Sequence, residues 1–219
     1  MVRIKRSYPE PDVLKDEREK DNGDYRKAEI LEKLRGDFFD KCYICESKEL
    51  TSINVEHLAS HRGDKTLKFS WDNLFWSCSH CNNIKLENFD NILDCTKEDV
   101  EKFVWLRMDM FPKASIQLRA LGNSPKINKT IELLDKVYNG STIIKKMESE
   151  NIRKQILHEL STLSNYMLEY FDETEKDVKE VFKKKIKKCL STSSAFAAFK
   201  RWIVRDNPEL LMEFAEYIA

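Results

Sequence analysis

Glycine and proline number only five each in 219 residues. No apolar run approaches the ~20 residues that a membrane span requires. The opening Met-Val-Arg-Ile-Lys-Arg turns charged at once and lacks the apolar stretch of a signal peptide, so a cytoplasmic protein is expected. Excess charge is missing too: 38 Lys and Arg offset 38 Asp and Glu, which excludes a globally basic nucleic-acid binder and leaves only a local patch. No G-x-x-x-x-G-K-[ST] run is present, so any dependence on ATP has to come from a partner. What remains is 41% hydrophobic, 11% aromatic and 35% charged, a composition with few helix breakers and enough apolar chain for a real core.

Three zones follow. Residues 1–40 hold an irregular start with Pro9 and Pro11. Ala28, Ile30, Leu31, Leu34, Phe38 and Phe39 then predict a helix near 24–39. Residues 41–96 break the helical period and carry five of the six cysteines; the runs Thr51–Leu58 and Leu74–Ser77 fit a small hairpin. Residues 97–219 read as helices. Thr96 with Asp99 resembles a capping box before Val100, Phe103, Val104 and Trp105. Ile152 to Phe171 and Val178 to Leu190 give two apolar stripes, and Asn207-Pro208 caps a last helix that buries Leu210, Leu211 and Phe214. No repeat or low-complexity linker separates the zones, so the helical half is expected to pack beside the central one.

Cys42-Tyr-Ile-Cys45 and Cys78-Ser-His-Cys81 are paired C-x-x-C knuckles. In a reducing compartment such pairs hold metal more often than disulfides. Two knuckles complete a tetrahedral four-thiolate shell with no open position, which predicts a structural Zn²⁺ that clamps the hairpin. A redox pair or unrelated thiols are the alternatives. Cys95 and Cys189 lack a partner at ligand spacing and read as ordinary buried thiols.

Between and after the knuckles stand Glu56-His57, Asn73 and Asn82. An acid, a base and two amides beside one clamped hairpin suit metal-assisted phosphodiester hydrolysis. The oxygen donors Glu56 and Asn82 favour Mg²⁺ or Mn²⁺, and the imidazole titrates near neutrality. Strict strand alternation would send Glu56 and His57 to opposite faces, so the strand has to end or twist there. His57 can also be read as a satisfied structural histidine. His61 can touch substrate but reads better as a solvated loop residue, His80 reads as a spacer between zinc cysteines, and His158 carries no signal. Trp71 and Trp76 can stack on bases but fit better as core. Asn83 is a candidate cap for a helix after the second knuckle.

The order Cys-x-x-Cys, Glu56-His57, Asn73-Leu74, Cys-x-x-Cys-Asn82-x-x-Lys85 resembles the HNH endonuclease family with zinc knuckles, over about residues 41–86. More narrowly, Asn22–Arg26, Ile53–His57, Cys81–Lys85, Ile92–Cys95 and Ser194–Trp202 resemble the HNH nuclease subunits of Septu-type anti-phage systems, also found beside some retrons. The resemblance implies an α+β chain: a ββα-metal module with a structural four-cysteine zinc site, embedded in a mainly α-helical protein. It implies Glu56 and Asn82 as ligands of a catalytic metal, His57 as general base and Asn73 as the residue that pins the loop. Asn82 replaces the final histidine of the name-giving pattern. An ABC- or SMC-like ATPase is the implied partner, with residues 97–219 as its docking surface.

Lys85 is a candidate phosphate contact or simply a surface lysine. Residues 178–205 hold nine Lys and Arg against Glu180, which makes Lys184, Lys188 and Arg201 candidate nucleic-acid contacts on a basic strip; a solvated lysine face explains them equally. A non-enzymatic zinc module that binds nucleic acid or protein is the alternative to a nuclease. Nothing in the sequence chooses DNA over RNA as substrate.

Overall fold

The computed structural model of the chain describes residues 1–48, 50, 52–140 and 142–218. An N-terminal arm leads into α1 (Asp12–Glu19) and α2 (Ala28–Asp37). α2 starts at Ala28 rather than near residue 24 because the preceding turn is tied down. Glu17 accepts the Asp24 N–H at 2.8 Å, and Asp24 accepts the Arg26 N–H at 3.0 Å. Ile30, Leu34 and Phe38 then face the interior, while Phe39 is exposed.

The central zone contains β1 (Ile53–His57), α3 (Lys65–Lys68), β2 (Leu74–Cys78) and α4 (Ser79–Lys85). The strands pair antiparallel, with Ile53 opposite Cys78 and His57 opposite Leu74, where the short β-type runs suggest a hairpin. Thr51, the first residue of the expected run, lies outside the described residues. α4 begins inside the second knuckle, so Asn83 sits within the helix and caps nothing; Cys78 holds the cap position.

The expectation of unbroken helix after residue 97 needs correcting. A single 3-10 turn at Val100–Lys102 leads into β3 (Val104–Asp109), which pairs antiparallel with β4 (Ser115–Ala120). Thr96 does not open a helix; its hydroxyl donates to Asp94 Oδ1 at 2.6 Å. β3 is buried on both faces apart from Arg107 and its last residue, Asp109. Its apolar run therefore lacks the alternation that marks a half-exposed strand and looks like one turn of buried helix.

Five helices complete the chain: α5 (Pro125–Asn139), α6 (Ile143–Asp172), α7 (Lys176–Leu190), α8 (Ala197–Asp206) and α9 (Pro208–Phe214). Asn207 caps α9 as its Asn-Pro pair implies, accepting the N–H groups of Glu209 and Leu210 at 3.0 and 3.3 Å. Phe171, Val181 and Leu211, each read as part of a buried stripe, lie exposed.

The result is a mixed α/β structure with two small two-stranded sheets. One apolar cluster runs from Val2 and Ile4 through Phe38, Tyr43 and Phe75 to Val137, Tyr138 and Phe199. A second holds Leu163, Met167, Ile186, Leu190 and Phe214 where α6 to α9 meet. Each such side chain contributes about 1.5–3 kcal/mol by burial. Glu46, next to Cys45, ties the N-terminal arm to α8. Its carboxylate accepts the Val2 N–H at 2.5 Å and the Ala198 N–H at 3.0 Å, and its carbonyl accepts the Phe196 N–H at 3.2 Å. Burial alone would raise this carboxyl; the amino terminus, Lys41 and the two N–H donors hold it at about 2 instead. Among the described residues no helix is long and apolar enough to cross a membrane.

Candidate metal centre and catalytic cleft

The first knuckle is a tight turn: Cys42 donates its N–H to the Ser47 carbonyl at 3.0 Å, and Glu46 donates to the Cys42 carbonyl at 2.9 Å. The second pair comes from the end of β2 (Cys78) and the first turn of α4 (Cys81). The four Sγ atoms of Cys42, Cys45, Cys78 and Cys81 lie within 4.8 Å of one another, with Cys45 and Cys78 3.9 Å apart. A tetrahedral zinc with Zn–S of ~2.3 Å requires sulfur–sulfur edges of about 3.8 Å, so the donor set fits that ion closely. All four thiols are buried. Neighbouring thiols and burial push Cys45 and Cys81 up, because adjacent thiolates cannot coexist in the interior without a cation. Cys95 is buried in the core, its thiol raised to about 12 by burial, consistent with an inert role.

His80 points away from the sulfurs. Its Nδ1 meets Glu148 Oε2 at 2.7 Å and its Nε2 meets the Val137 carbonyl at 2.9 Å, which fastens the second knuckle to α5 and α6.

On the hairpin's other side lies a cleft of about 740 Å³, lined by Glu56, His57, Asn82, Tyr25, His61 and Arg62 among others. All five residues of β1 line it, so Glu56 and His57 both reach it from consecutive positions. His57 Nε2 is 3.0 Å from the Lys68 carbonyl. A carbonyl only accepts, so Nε2 carries the proton and Nδ1 keeps its lone pair. Burial pushes the imidazole below its ordinary value, with His61 and Lys85 adding to the effect, so the ring is neutral near pH 7. Asn73 pins the intervening loop at both ends. Its amide oxygen accepts the Ala59 N–H at 2.8 Å, and its NH2 donates to the Ala59 and Leu67 carbonyls at 2.8 and 3.0 Å.

Lys85 is not a surface contact. It is 0% exposed, and its ammonium donates to the His57 carbonyl at 2.9 Å and lies 2.9 Å from Glu56 Oε1. Burial raises the Glu56 carboxyl, and Lys85 opposes that rise. The pair leaves Glu56 Oε2 and the Asn82 amide oxygen as the donors a metal can use. Arg201 is corrected likewise. It is buried, with Nε donating to the Leu190 carbonyl and a guanidinium N–H to Glu101, both at 2.8 Å. Lys184 and Lys188 are exposed on α7, as a basic face requires.

The sequence reading assigned no role to Tyr25 or to the carbonyl of Lys68. Tyr25 sets its ring edge-on to His57, with centroids 4.8 Å apart. Two residues earlier, Gly23 packs so closely on the end of α1 that a Cβ there would sit 1.9 Å from the Glu17 carbonyl oxygen. His61 is half-buried, with its ring centroid 4.8 Å from that of His57.

Compared with known proteins, the chain matches no family model, no curated protein and no solved structure.

Proposed function

We propose that the chain is a metal-dependent nuclease of the HNH type that hydrolyses phosphodiester bonds of nucleic acid. One observation carries the reading: Glu56, His57 and Asn82 line one cleft, with His57 held through Nε2 and its Nδ1 lone pair free. In this reading Nδ1 takes a proton from the attacking water, and the Lys68 carbonyl steadies the imidazolium that forms. Asn73 fixes the loop that carries that carbonyl. Glu56 and Asn82 are hard oxygen donors suited to Mg²⁺ or Mn²⁺, and such a cation would offset the charge building on the phosphate. The product would carry a 5′-phosphate. Because Lys85 already neutralises much of Glu56, tight metal binding in this scheme relies on the substrate's own phosphate.

The narrower resemblance extends the proposal to an effector subunit of anti-phage defence, driven by an ABC- or SMC-like ATPase. The Lys85–Glu56 pair is also what a non-enzymatic zinc scaffold would contain, and that is the competing reading. Incubating wild type and His57→Ala with plasmid DNA and total tRNA in Mg²⁺ separates the two. Cutting by the wild type, slowed about 10²–10⁴-fold in the variant at unchanged zinc content, supports the nuclease. Equal cutting by both, or full activity in a chelator, contradicts it. The same assay reports which polymer is the better substrate.

A further inference from the structure

Away from the Glu56–His57 cleft, a second hollow of about 670 Å³ opens between α6, α7 and the connection Ser191–Phe196. Lys48, Lys154, His158, Lys185 and Lys188 stand around it, and Tyr166 forms part of its wall. Lys154 has Glu150 as a partner at 3.1 Å. Lys185 and Lys188 meet no carboxylate among the described residues; Lys185 lies 5.2 Å from the Tyr166 ring centre.

Two further lysines lie beneath the hollow, and both hold Ser194. Lys200, fully buried, donates to Ser194 Oγ at 2.7 Å and pairs with Glu159. Lys41, also buried, donates to the Ser194 carbonyl at 3.1 Å. A buried ammonium is costly, and apolar packing would stabilise the same position at least as well. The next residues add strain: Phe196 occupies the left-handed region at φ 49°, which a non-glycine residue adopts only when its surroundings force it. Two buried cations and a strained turn therefore fix one short loop in the wall of a hollow lined by four lysines and His158 against one carboxylate, Glu159, which is paired with Lys200.

We infer that this hollow is a phosphate-binding site that takes one nucleotide unit. Its volume falls in the range of small-molecule sites, about 300–1,000 Å³. Lysines and His158 match the phosphate, and Tyr166 offers an aromatic face to a base. The nucleotide is either free or part of a nucleic-acid strand; only the second case rests on the nuclease reading.

The test measures binding without cleavage. The zinc-loaded full chain, free of Mg²⁺, is titrated with ATP and separately with a short oligothymidylate. Lys185→Glu/Lys188→Glu reverses two exposed charges at the hollow. Lys176→Glu/Lys187→Glu makes the same charge change on the same helix at exposed positions that do not line it. The first pair is expected to weaken binding by about tenfold or more and to flatten the salt dependence of log K for the strand by about 1.4. The second is expected to leave affinity within about threefold, and helical content unchanged in both. Loss of ATP binding identifies a free nucleotide; loss confined to the oligonucleotide identifies a strand. Equal effects of the two double variants, or no binding of either probe by the wild type, overturn the inference. Cleavage with and without His57 is read separately, so the nuclease proposal stands or falls by itself.

Discussion

Replacing Lys85 with methionine asks whether the buried ammonium holds the acid–base pair together. At 2.9 Å from Glu56 Oε1 its attraction is about 6 kcal/mol at an effective dielectric of about 20. Desolvation of both charges offsets most of that, so the pair contributes little net stability while intact. Removing one partner is different, because Glu56 then stays buried without compensation. Lys85→Met is expected to cost about 3–5 kcal/mol. In urea, with zinc kept saturating and tryptophan fluorescence as the probe, that lowers the unfolding midpoint by about 1.5 M. Glu56→Gln in the same background removes the orphaned charge, so the double variant is expected to recover about 2 kcal/mol or more relative to the sum of the single losses. The deficit of Lys85→Met also has a pH signature. Without the ammonium, Glu56 titrates still higher than its already raised value. The variant's loss is therefore smallest in acid, where the carboxyl is protonated, and grows as pH rises through that elevated value. Additive single losses, within about 0.5 kcal/mol, refute the reasoning, as does a deficit that does not change with pH.

Metal analysis of purified protein is expected to give one zinc per chain, and Cys81→Ser to abolish it; retained zinc in that variant would mean the four sulfurs are not the site. Asn73→Ala removes three part-buried hydrogen bonds, a loss of about 1–3 kcal/mol by urea unfolding. Gly23→Ala forces a Cβ into the Glu17 carbonyl and should displace Tyr25, read as reduced stability and, if the nuclease reading holds, reduced cleavage. The active form of His57 is neutral and its pKa is depressed, so the acid limb of a cleavage–pH profile is expected below the ordinary histidine value of about 6.5. An acid limb at or above that value counts against His57 as the base.

The knuckles and the first hairpin were legible because their signals are local: fixed cysteine spacing and short β-type runs between turn residues. The second hairpin was not, since β3 is covered on both faces and shows no alternation. Charge misled for a related reason. The basic run from Lys179 to Arg205 looks like one strip, yet α7 ends at Leu190 and the chain re-enters as α8, turning Lys200 and Arg201 inward. Lys85 was misread because a lone lysine defaults to the surface, and only its contacts with His57 and Glu56 explain its burial. Tyr25 lay in a recognisable stretch, but its partner stands 32 residues further on (57 − 25), beyond any local pattern.

Glu46 has a consequence for how such a centre can be inherited. One residue past Cys45, it is bonded to the second residue of the chain and to the first turn of a helix 152 positions away. A cassette excised between the knuckles' outer boundaries would leave a buried carboxylate without its donors and the start of α8 without its acceptor. This clamp is thus poorly portable: recombination that moved it into another protein would have to bring both the amino-terminal arm and α8 along.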